Sequence, residues 1–155
     1  MRSVKSTVFF FFFLFSSILL CVCYNSAKVE EANKLINEAN ALITKNNATN
    51  DKVGKQFGEL TAGAAAAEDP AEYKTANKAK FDEVLAMLAD KEKGSKEAAA
   101  KFEAASKVPV GEIFQAYAAA KAQEIAKRGE LDTASIAYIK AYLAENDDAK
   151  VAALT

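Results

Sequence analysis

Acid–base or metal chemistry in this chain would have to come from carboxylates. Histidine and tryptophan are absent, and the two cysteines, Cys21 and Cys23, stand in an apolar run near the N-terminus. Two acidic clusters occur, Glu68, Asp69 and Glu72, then Glu145, Asp147 and Asp148. Paired carboxylates can share a proton or hold a divalent cation, but both clusters fall where helices are expected to begin or end, and capping accounts for them. Ser26, Ser95, Ser106 and Ser135 lie outside any GxSxG turn, and a triad needs a base that the chain lacks. Zinc sites of the Cys/His type are excluded with the same residues. In GELTAGA, Gly58 and Gly63 have phosphate-loop spacing, yet Ala64 stands where the lysine must be. The expectation is a protein that is not an enzyme and has no metal and no cofactor.

The elements that must position any working surface read as helices. All 33 alanines lie beyond residue 26, which supplies the strongest helix former with the smallest side chain. Apolar residues recur at steps of three and four, as in Val29, Ala32, Ile36, Ala39 and Ile43, and again in Val53, Phe57, Leu60, Ala64 and Ala67. Punctuation suggests about six antiparallel helices. KNNATNDK reads as a first connection, with Asn50 or Asp51 as the next cap, and Asp69, Pro70 and Glu72 spell a capped start. From there a long helix carries Tyr73, Phe81, Val84, Leu85 and Leu88 inward and ends at Gly94, with Ser95 capping the next. VPVG breaks the chain after Phe102 and Ala105, and Ile113 or Phe114 opens another helix. Gly129 ends that one, Asp132 or Thr133 caps the helix of Ile136, Ile139 and Leu143, and a short tail helix is expected from Asp147. The fold class is all-α, as a helical-hairpin array or an alanine-rich bundle.

Residues 1–23 have the layout of a secretory signal peptide, with Arg2 and Lys5 ahead of VFFFFFLFSSILLCVC. Cleavage before Tyr24 would leave 24–155 as one secreted domain without cysteine, held by packing alone. The formal charge would move from -1 to -3, which argues against nucleic acid as a partner. Left uncleaved, the segment would tether a surface structural or antigenic protein to a membrane, although Val8–Cys23 falls short of a full span.

In the C-terminal half, Ala122, Ile125, Gly129, Leu131, Ala134, Tyr138 and Ala141 follow one another at a spacing that resembles the tetratricopeptide repeat. Leu85, Ala86, Ala98, Phe102, Ala105 and Pro109 give a weaker upstream copy, with Gly94 one residue late at the turn. The family's aromatic residue and closing proline are Ala118 and Asn146 here. The resemblance implies that Gly129 turns the chain, that Ala134 packs against Ala122, and that Lys80, Glu83, Met87, Gln123 and Lys127 line a concave face for an unknown protein or peptide.

Two further features bear on binding. Gly54, Gly58 and Ala62 share one side of a helix, which suits close helix packing, or a hole for an apolar ligand or lipid walled by Phe57, Tyr73 and Phe81. Asn47–Thr49 is a glycosylation sequon in the segment expected to be most loop-like. The expected function is therefore that of a secreted interaction module, with a helical carrier of an apolar ligand as the alternative.

Overall fold

A computed structural model describes the backbone of residues 4–145 and the side chains of residues 26–145. It is all-helical and has four helices among these residues: α1 (Val4–Ala66), α2 (Pro70–Ala76), α3 (Lys78–Ser106) and α4 (Glu112–Ala144). The side chains of residues 1–23, expected to be a signal peptide, and the tail helix expected from Asp147 lie outside the described residues. Among residues 26–145, whose side chains are described, no helix is long and apolar enough to cross a membrane.

The count falls from six to four because three expected breaks are helical and one unexpected break, at Asn77, is added. KNNATNDK continues α1, where the Thr44 and Thr49 hydroxyls donate to the carbonyls of Asn40 and Lys45 at 2.9 and 3.0 Å. Helical backbone supplies those acceptors without a turn. Gly94 sits inside α3 and Gly129 inside α4, both buried. Gly94 allows a close approach, since a Cβ there would stand 2.6 Å from Asn46 Oδ1, whereas one on Gly129 would meet Ser95 Cβ at an ordinary 3.5 Å. The hairpin turn implied at Gly129 is thus not formed, and Ala134 is exposed on a continuous α4 rather than packed on Ala122.

The expected punctuation holds where it is local. Asp69 caps α2, its Oδ1 accepting from the Ala71 and Glu72 amides at 2.9 and 3.0 Å, with Pro70 next in the chain. The long helix expected from Pro70 is instead interrupted at Asn77, whose side chain donates to the Tyr73 carbonyl at 3.0 Å. VPVG does break the chain: α3 stops at Ser106, and Gly111 takes φ +140° before α4, a conformation that side chains disfavour.

Two apolar clusters fill the bundle. One joins Val53, Leu60 and Ala64 of α1 to Phe81, Val84 and Leu88 of α3 and to Ile139 and Tyr142 of α4. Phe57 meets Phe81, Tyr138 and Tyr142 edge-on, with ring centroids 6.4, 6.2 and 6.0 Å away, a favoured aromatic geometry. The other cluster comprises Ala39, Ala98, Phe102, Ala122 and Ile125. Val29, expected inward, is exposed.

Candidate functional site

α3 packs closely on both α1 and α4, whereas α1 and α4 approach each other only sparsely. Phe57 and the two tyrosines bridge the gap at one end. Farther along, the gap opens into a recess of about 360 Å³. α3 is thus the helix common to both large contacts, and the recess lies in the seam between α1 and α4.

The floor of the seam is polar and comes from all three helices. Asn46 Nδ2 donates to the Lys91 carbonyl and to Ser95 Oγ, both at 3.1 Å. Ser95 Oγ donates to Asp132 Oδ2 at 3.2 Å. Lys91 Nζ lies 2.7 Å from Asp132 Oδ1 and donates to Asn50 Oδ1 at 2.8 Å. Asn46, Ser95 and Asp132 are buried. Burying these groups is costly unless each finds a partner, and here they partner one another. Ile43 and Ile125 form apolar walls, Leu131 stands at the lip with 67% of its surface exposed, and Asn47 and Arg128 complete the rim.

The polar groups of the floor are engaged with one another. Lys91 directs its hydrogens to Asp132 and Asn50, and the Ser95 hydroxyl is bonded to a carboxylate. Among the described residues, no group of three acidic or thiol side chains could hold a metal ion. In the first acidic cluster, Asp69 is occupied in capping and Glu68 and Glu72 are exposed. Asp147 and Asp148 of the second cluster are outside the described residues.

The five residues expected on a concave face are not brought together. Lys80 and Glu83 are exposed on α3, and Met87 is half-buried against the aromatic cluster. Gln123 and Lys127 are exposed on α4, with Lys127 paired to Glu130 at 2.7 Å. Because Thr133 bonds Glu92 across the helix pair, the antiparallel register sets Gln123 about 20 Å along the bundle from Met87 at ~1.5 Å per residue. Gly54 and Gly58 have nothing within 4 Å of a would-be Cβ. Their side of α1 therefore faces outward, forming neither a helix contact nor a ligand hole, while Phe57 and Phe81 belong to the core. Asn47 is exposed on α1 itself, not in a loop.

The residues of the polar floor carry a signal that can be seen in sequence. Asn46 continues the spacing Ala32, Ala39, Val53, Leu60; Ser95 continues Val84, Leu88, Ala98, Phe102; and Asp132 continues Ala118, Ala122, Ile125, Ile139. Polar residues at apolar-stripe positions on three helices are expected to meet one another. Comparison with protein-family models, curated proteins and solved structures finds no match to this chain.

Proposed function

We propose that this chain is a secreted, non-enzymatic interaction module that receives a helical segment of another protein in the seam between α1 and α4. The observation that carries this reading is the open recess between α1 and α4, walled by Ile43, Ile125 and the exposed Leu131 over a polar floor. An amphipathic helix laid there would cover the apolar lip and direct one hydrogen-bonding side chain toward Asn46 and Lys91. A glycan on Asn47, at the rim, would narrow the same entrance. Affinity capture from the native extracellular fluid tests the proposal. The wild-type protein and an Ala126→Glu variant, altered on another face, should retain the same partner, and Leu131→Asp should lose it with its helical circular dichroism intact. Equal retention by Leu131→Asp would place binding elsewhere.

The size of the recess favours a second reading, carriage of a small amphipathic ligand, since ~300–1,000 Å³ is usual for such sites. A fluorescent fatty acid that gives no saturable signal with the purified protein would remove it.

A further inference from the structure

We propose that the outer face of α3 and α4, away from the seam, pairs with the same face of a second copy of this chain. Glu92, Lys96 and Glu103 of α3 and Lys107 at its C-cap succeed one another at steps of four, seven and four, which keeps them on one side of a helix. Lys96 pairs with Glu92 and Lys107 with Glu103, each at 2.7 Å. The pattern is its own complement. Laid antiparallel about the midpoint between Ala99 and Ala100, Glu92 faces Lys107 of the second copy and Lys96 faces its Glu103. All four charges then meet opposite charges.

The rest of the face agrees with the same two-fold axis. The groove between α3 and α4 has a volume of about 560 Å³, and its lining includes five alanines, Ala99, Ala100, Ala119, Ala122 and Ala126. Such small side chains let helix backbones approach closely. Gly129 lies against Ser95, and Thr133 bonds Glu92 at 2.7 Å. This register brings Ala126 level with Ala99, so one axis can cross both helices there. A contact of this kind closes on itself as a dimer and completes a four-helix layer without covering the seam between α1 and α4. Its failure would therefore leave the proposed partner site unaffected.

The test is the mass in solution of the protein secreted by cells expressing the full chain, measured by sedimentation equilibrium. The wild type should be dimeric at about 100 µM. Lys96→Glu and Glu103→Lys should each weaken self-association by at least about tenfold, since each sets two like-charged pairs in contact. Both residues are well exposed, with 70% and 62% of their side chains accessible, so circular dichroism should be unchanged. An equimolar mixture of the two variants should dimerise like the wild type, as should the double variant. A monomeric wild type, single variants that associate undiminished, or a mixture that stays monomeric would each overturn the proposal.

Discussion

The Lys91 ammonium lies 2.7 Å from Asp132 Oδ1, joining α3 to α4 where side-chain exposure is only 16% and 4%. An ion pair so placed contributes little net stability over apolar residues of the same shape, but losing one partner strands the other. Asp132→Ala should therefore lower the unfolding free energy by about 3 kcal/mol, the low end for buried pairs, because Lys91 keeps Asn50 and an outlook on the seam. The double change Lys91→Met with Asp132→Leu should return to within about 1 kcal/mol of wild type. Denaturant midpoints measure both, and a harmless Asp132→Ala would mean that the pair is not buried in solution.

Glycine substitutions should differ in sign along the chain. Gly54→Ala and Gly58→Ala place methyl groups in open space on a helix and should each stabilise by about 0.5–1 kcal/mol. Gly94→Ala drives its methyl group against Asn46 Oδ1 and should cost about 1–3 kcal/mol through displaced hydrogen bonds. Gly129→Ala meets Ser95 Cβ at an ordinary 3.5 Å and should be neutral or stabilising. A chain reversal at Gly129 would make that substitution destabilising. Thermal midpoints of the four variants decide between these outcomes.

The Glu38–Lys101 bridge, 2.6 Å between α1 and α3, should give a small pH dependence. The hydrogen bond from Lys101, then its charge, holds the Glu38 carboxyl below its ordinary 4.5, and the same bond raises Lys101 above its ordinary 10.5. A depressed carboxyl stabilises fully above its unfolded value and loses that contribution as pH falls through its folded one. A raised lysine stabilises fully below its unfolded value and loses it as pH rises through its folded one. The contribution is therefore present between about pH 5 and pH 10. The thermal-midpoint gap between wild type and Glu38→Gln should close toward about pH 3, and in about 1 M salt at neutral pH. A gap unchanged at low pH would assign the effect to packing.

Helical class, the cap at Asp69 and the break at VPVG were legible because each depends on residues a few positions apart. The breaks expected at KNNATNDK, Gly94 and Gly129 were misleading for one shared reason. Asn46, Ser95 and Asp132 interrupt apolar stripes and invite turns when each helix is read alone, yet they satisfy one another across the bundle. Gly94 likewise looks like a helix end until Asn46 is seen against it. The polar floor was thus written in the periodicity, but only the combination of three helices distinguishes a shared layer from three loops.

Both large helix interfaces include α3, and each joins helices that are neighbours along the chain apart from the short α2. Contacts of such modest sequence separation favour fast folding, because little loop entropy is lost before they form. The α3–α4 hairpin is closed by the short segment 107–111, so its contacts span less chain than those of α1. During synthesis α1 emerges first, so the stripe of Val53, Leu60 and Ala64 remains in contact with water until Phe81, Val84 and Leu88 have left the ribosome.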